Sequence, residues 1–155
     1  MKFNMKITGK TSLSNTIKLW LQIIFILGIF VVMLLPIWLK AYCTYINIYL
    51  AYTPALILLY ISGIPALIIV YEFIKMFGTL EENNPFINEN VNHLKKCSIC
   101  SLIIAIEYCI GIFATKAIFS IIAVGVFTVA WLGLYILSEL LKQAIQYKEE
   151  NDLTI

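Results

Sequence analysis

The sequence has no arginine and few charged residues of any kind. Only 13% of its 155 residues are charged, about half the share in an ordinary soluble domain. Because all eleven basic side chains are lysines, the planar guanidinium that reads guanine or grips phosphate is missing. The net charge is only +2, with nine carboxylates among the lysines, which excludes the broad basic face of a nucleic-acid-binding protein. We therefore expect no direct contact with nucleic acid.

Residues that carry chemistry are also scarce. The four cysteines are too scattered for a disulfide framework, and the sequence has no phosphate-binding loop, nucleophile elbow or zinc signature. Cys97-Ser-Ile-Cys100 suggests a membrane thiol oxidoreductase, but neighbouring helical turns disfavour a disulfide, so we interpret the pair as small apolar residues. His93 lacks a metal-ligating companion and is interpreted as a solvated loop histidine. The sequence thus predicts no enzyme, no catalytic residue, no metal and no cofactor.

Apolar residues make up 61% of the sequence, and the mean hydropathy is +0.91. Four apolar stretches, at about 19–39, 55–74, 97–115 and 117–137, are long enough to cross a hydrocarbon core of about 30 Å as helices. No polar segment is long enough to close a separate soluble core. The sequence therefore predicts a single all-α domain over residues 1–155, a polytopic four-helix bundle in the lipid bilayer.

The distribution of lysines predicts the orientation of these spans. Nine lysines lie on the side shared by both termini and the middle loop, whereas Lys40 and Lys116 lie on the other side. By the positive-inside rule, both termini are cytoplasmic, with a leader at 1–18 and a tail at 142–155. The first stretch has no signal-cleavage site and is interpreted as an uncleaved anchor. We expect a multi-pass protein of the cell membrane.

Helices 2, 3 and 4 are predicted to extend into the cytoplasm. Apolar residues continue past the second span at helical spacing, and similar stripes flank the third and fourth spans. These stripes are Phe73, Met76, Phe77 and Leu80; Val91 and Leu94; and Leu137, Leu140, Leu141, Ala144 and Ile145. They can bury one another as an extension of the bundle. The alternative is that they form a surface for a partner.

Two glutamates at the inner helix ends predict interfacial ion pairs. Glu72 and Glu139 each have a lysine three residues later, Lys75 and Lys142. Pairs within each helix account for both carboxylates. Crossed pairs, Glu72 with Lys142 or Glu139 with Lys75, would instead join the second and fourth helices, with a contribution of about 1 kcal/mol at a partly exposed site.

Glu107 is a carboxylate at the middle of the third span. A charge at this depth is costly, and an intramembrane acid is by default a functional candidate. The function it suggests is that of a small proton-coupled transporter, although no second acid lies at that depth. The alternative is a protonated structural carboxyl that hydrogen-bonds Ser62, Thr128 or a backbone carbonyl.

A sequence pattern in the middle loop and the C-terminal residues resembles a known family. Asn84-Pro85-Phe86 is followed by Glu89-Asn90-Val91, and the sequence closes on Asp152-Leu153-Thr154-Ile155. With four spans, this pattern is similar over nearly the whole chain to the bacterial membrane family called domain of unknown function 2975. The family has Ser or Thr where this sequence has Ile87, so we predict that Asn88 caps the third helix instead.

The resemblance implies a partner, because members are often encoded beside a small helix-turn-helix regulator of the Xre type. We hypothesise that the middle loop and the tail form one cytoplasmic platform that binds such a regulator and makes this a non-enzymatic regulatory or anchoring protein. Its acidic residues would attract a basic DNA-binding surface. The predicted partner-binding residues are Phe77, Asn84, Pro85, Phe86, Glu89, Asn90, Asp152, Leu153, Thr154 and Ile155. The alternatives are the transporter and a membrane scaffold or homo-oligomer that packs through Ala130 and Gly133.

Overall fold

The computed structural model describes residues 8–45, 52–81, 86–115 and 118–152, which are almost entirely helical. Four helices follow one another: α1 (Thr8–Tyr45), α2 (Tyr52–Glu81), α3 (Asn88–Thr115) and α4 (Ile118–Asp152). Each contains an apolar segment long enough to cross a membrane. The predicted all-α, four-helix membrane architecture is confirmed, and the chain is a multi-pass membrane protein.

All four helices are longer than a bilayer core requires. They contain 38, 30, 28 and 35 residues, which corresponds to about 57, 45, 42 and 52 Å at 1.5 Å per residue. The extensions of α2, α3 and α4 past their apolar spans agree with the prediction. The leader, for which no helix was predicted, differs, because α1 begins at Thr8.

The helices pack in chain order, α1 on α2, α2 on α3 and α3 on α4. Of the four apolar segments, that of α3 is the most buried and that of α1 is the least buried. Many large apolar side chains point outward along α1 and α4, as expected where lipid tails rather than water surround the helices. The central position of α3 decides which polar groups are enclosed by protein.

Small residues allow the helices to approach closely. A Cβ on Gly28 of α1 would lie 2.9 Å from Leu67 Cδ2 of α2, so only glycine fits without movement there. Between α3 and α4 the small residues are serines: Ser98 donates a hydrogen bond to the Trp131 carbonyl at 3.3 Å, and Ser101 and Ser138 are fully buried. Small and hydroxyl-bearing residues are the usual means of helix contact in membranes.

Candidate functional site

A buried cluster of charged side chains joins α2 to α3 near the turn between them. Glu72 of α2 and His93 of α3 are only 6% and 4% exposed, and His93 Nδ1 contacts Glu72 Oε2. Lys96 donates to Glu72 Oε1 at 3.4 Å, and Glu89 Oε1 lies 3.8 Å from His93 Nε2. We call Glu72, Glu89, His93 and Lys96 the Glu72 cluster. Its two buried members satisfy one another, as buried charged groups must.

The predicted partners of Glu72 were wrong. Its carboxylate pairs with His93 and Lys96 of the adjacent helix rather than with Lys75 or Lys142. The Lys75 ammonium lies instead over the Tyr71 ring, 4.6 Å from its centroid, where a cation–π contact holds it. The antiparallel register of α2 and α3 places His93 and Lys96 within reach of the Glu72 carboxylate, and this register cannot be read from the sequence.

The interpretation of His93 as a solvated loop residue was also wrong, because it lies on α3 and is buried. The sequence contained a signal for this. Asn90, His93, Leu94 and Cys97 follow one another at i, i+3, i+4 and i+7, and all four are buried, so they form one helical stripe. His93 was overlooked because histidine is polar, although a carboxylate on the facing helix makes its burial tolerable.

Asn90 holds the start of α3 against the end of α2. It is 2% exposed, its Oδ1 lies 2.9 Å from the Thr79 hydroxyl of α2, and its backbone N–H donates to the Ile87 carbonyl at 3.1 Å. Contrary to its predicted role, Asn90 offers no side chain to a partner. α3 begins at Asn88, so Asn88 is the first residue of the helix, and its capping role stays a prediction.

A second ion pair joins α3 to α4. Lys95 Nζ lies 2.9 Å from Glu139 Oε1, and both side chains are more than a third exposed. Glu139 therefore pairs across the helix interface, not only with Lys142 on its own helix as predicted. The hydrogen bond from Lys95 lowers the pKa of the Glu139 carboxyl below its ordinary value. Two consecutive lysines of α3 thus reach two different neighbouring helices.

The remaining predicted partner-binding residues are placed unevenly. Phe86 is 46% exposed, the side chain of Glu89 is 69% exposed, and Phe77 is half-buried. Asn84, Pro85, Leu153, Thr154 and Ile155 lie outside the described residues, as does the side chain of Asp152. Phe86 and Glu89 are therefore the predicted contact residues that the structure presents on its surface.

Glu107 lies at the contact of α2 and α3, far from the Glu72 cluster. Both of its carboxylate oxygens are buried and have no hydrogen-bond partner among the described residues. The Ser62 hydroxyl does not bond to Glu107, because it is directed to the Leu59 carbonyl at 3.3 Å and to the Tyr108 hydroxyl at 3.5 Å. The backbone of Ser62, in contrast, lies near the carboxyl. A bond to Thr128 or to a carbonyl is absent as well. The structure thus leaves this carboxyl without a structural explanation.

The cysteine pair lies between these two sites. Cys97 and Cys100 are buried free thiols, and Cys97 Sγ lies 3.8 Å from the Ile69 carbonyl of α2. Within the residues that the structure describes, no three His, Cys, Asp or Glu side chains are grouped so that they could hold a metal ion. The cysteines pack as small apolar side chains do.

Comparison with known proteins gives a family but no activity. The model of the family described as Protein of unknown function (DUF2975) matches residues 14–155. This chain belongs to the DUF2975 family. No curated protein and no solved structure matches it. For this DUF2975 member, function has to be argued from the two sites: the exposed junction beside the Glu72 cluster and the unpartnered Glu107.

Proposed function

We propose that this DUF2975 protein is a non-enzymatic regulatory or anchoring protein that binds a small helix-turn-helix regulator of the Xre type. The binding surface is the α2–α3 junction together with the adjoining end of α4. One observation carries the proposal: Phe86 and Glu89 are exposed, although Asn90 and His93 immediately after them are buried and bonded to α2. The Phe86 ring is thus exposed at the start of a segment that the contacts of Asn90 and His93 hold against α2.

A fixed aromatic anchor suits protein binding for an energetic reason. Interface energy is concentrated in a few residues, among which aromatic side chains are enriched. A surface that is already ordered loses less conformational entropy when a partner docks. The Thr79–Asn90 contact and the Glu72 cluster provide this order at the junction.

Acidic residues of α4 extend the surface. The 2.9 Å Lys95–Glu139 pair places these two residues at the same level of α3 and α4. From this level, α3 extends seven residues back to Asn88, whereas α4 extends twelve residues on to Asn151. The difference of five residues means that α4 projects about 7 Å beyond the start of α3. Glu149 and Glu150 lie on this projection and are exposed. Together with Glu89 they can attract the basic DNA-binding face of a regulator and compete with DNA for it.

The test measures the affinity of a helix-turn-helix regulator of the Xre type for the whole chain in neutral-lipid nanodiscs. We expect Phe86→Ala to weaken binding at least about tenfold, the loss of about 1.4 kcal/mol or more that is typical of an interface anchor. Glu89→Gln should weaken binding at low salt and much less at high salt. Removal of residues 151–155 should weaken it as well.

The matched control is Ile110→Ala, which truncates an apolar side chain that is 67% exposed on the lipid-facing side of α3. This variant should bind the regulator like the unaltered chain. Equal affinities for Phe86→Ala and Ile110→Ala would contradict the proposed surface.

Proton-coupled transport is the second candidate function, and the buried, unpartnered carboxyl of Glu107 favours it. A cavity of about 330 Å³ lies among the helices, with Ser62 and Tyr108 on its wall. Its volume is in the range of small-molecule sites. Glu107→Gln would abolish proton-driven uptake in proteoliposomes and spare regulator binding, whereas removal of residues 151–155 would have the opposite effect.

A further inference from the structure

We propose that Glu107 is a reversible proton-binding site within the membrane, at the contact between α2 and α3. The site does not depend on regulator docking, and it binds its proton whether or not the protein transports anything. Its ligand is the proton itself, held on a carboxyl that forms no ion pair with any described residue.

The first argument is the absence of a counter-charge. Within the described part of the chain, both carboxylate oxygens of Glu107 are buried without a hydrogen-bond partner, and no Lys or His forms an ion pair with this carboxyl. His93 lies fourteen residues away on α3, which is about 21 Å. An ionised carboxylate in such a place is neither solvated nor paired, so the neutral, protonated form is favoured.

The second argument is the sequence around the site at the same depth. Glu107 is the only charged side chain in residues 19–39, 52–71, 97–115 and 118–138. The helix register places Tyr60 of α2 and Tyr108 of α3 nearest to its level, because Ser62 contacts Tyr108 and Leu58 faces Gly111. The binding or loss of one proton at Glu107 therefore decides the net charge of these four segments.

The third argument explains how the proton can be accommodated and exchanged. Pro65 in α2 has no N–H, so the Ile61 carbonyl four residues earlier lacks its helical donor. By the register above, this carbonyl lies near the level of Glu107, although the carboxyl does not bond to it in the structure. The Ser62–Tyr108 hydroxyl pair, 3.5 Å apart, borders the cavity and provides polar groups along which a proton can leave.

Infrared spectroscopy of the whole chain in liposomes tests the proposal. The C=O stretch of a protonated carboxyl is to be compared between the unaltered protein and Glu107→Gln, with Glu139→Gln as the control for an exposed, lysine-paired acid. We expect a band at about pH 6 that is absent from Glu107→Gln, unaffected in Glu139→Gln, and reduced by at least about half at pH 9.

Three results would overturn the proposal. A band of constant area from about pH 6 to pH 9 would show a permanently neutral structural acid. The lack of any band that Glu107→Gln removes would show an ionised carboxylate. A band that disappears when choline is replaced by sodium at constant pH would make a metal cation the ligand instead of the proton. Regulator affinity plays no part in these outcomes, so they are independent of the docking proposal.

Discussion

At the scale of single residues, Glu72 is important for stability, because its carboxylate is the principal partner of the buried His93. Replacement of Glu72 by alanine would leave His93, which is 4% exposed in the structure, without its principal partner. A buried polar group that loses its hydrogen bond costs about 1–3 kcal/mol. We expect Glu72→Ala to lower the melting temperature of the protein in detergent, followed by its tryptophan fluorescence.

Lys75→Ala is the matched control for this prediction, since Lys75 lies one turn away on the same helix and was the predicted partner of Glu72. Its cation–π contact with Tyr71 is exposed, so its loss should change stability by no more than about 1 kcal/mol. If Lys75→Ala destabilised the protein as much as Glu72→Ala does, the pairing seen in the structure would be wrong.

The contacts of individual residues were predictable only in part, for a reason that Glu72 illustrates. A carboxylate among apolar residues must be paired, so the sequence predicted that Glu72 and Glu139 form ion pairs. It did not predict their partners, Lys96 and Lys95, because the partner depends on how neighbouring helices are aligned. The burial of His93 was not predicted for the same reason, since it is tolerable only because the alignment of the helices places Glu72 opposite it.

At the scale of helices, α2 and α3 meet at Gly111. A Cβ on Gly111 would overlap the Leu58 side chain of α2, whereas a Cβ on Gly133 of α4 would meet nothing within 4 Å. The α2–α3 contact therefore has no room for a larger side chain at Gly111, whereas the exposed face of α4 has room for one at Gly133. The two glycines form a natural pair for mutagenesis.

We expect Gly111→Val to destabilise the protein by about 1–3 kcal/mol, the usual effect of extra carbon atoms in a packed contact. Gly133→Val should be nearly neutral for stability, and both variants can be compared by thermal melting in one detergent.

Gly133→Val also tests the scaffold alternative. Dissociation of a larger assembly in size-exclusion chromatography would show that Gly133 faces another chain.

The helices themselves were the most predictable level of structure. Apolar stretches longer than a bilayer core leave a chain few choices besides a helix, and the four predicted spans agree with α1 to α4. The start of α1 was less predictable, since Leu13 and Ile17 are the only large apolar residues from Thr8 to Lys18. The site at Glu107 was identified by depth alone, but its lack of a hydrogen-bond partner required coordinates.

At the scale of the whole molecule, ion pairs and close contacts concentrate charge at one end. Lys95 and Lys96 of α3 bind carboxylates of α4 and α2 at this end, and Lys18 of α1 lies 3.9 Å from where a Cβ on Gly78 of α2 would be. All four helices thus contribute to one charged layer. By the positive-inside rule, we expect this layer on the cytoplasmic side, which is the side where a soluble regulator would be found.

This orientation can be tested with two cysteines at opposite ends of the molecule. In a variant whose four native cysteines are replaced by alanine, Tyr45→Cys and Phe86→Cys each place a thiol at a site that is 86% or 46% exposed. We expect a membrane-impermeant maleimide to label Tyr45→Cys on intact cells and Phe86→Cys only after permeabilisation, because the lysine-rich end is retained inside. Labelling of Phe86→Cys on intact cells would place the α2–α3 junction outside, where no cytoplasmic regulator could reach it.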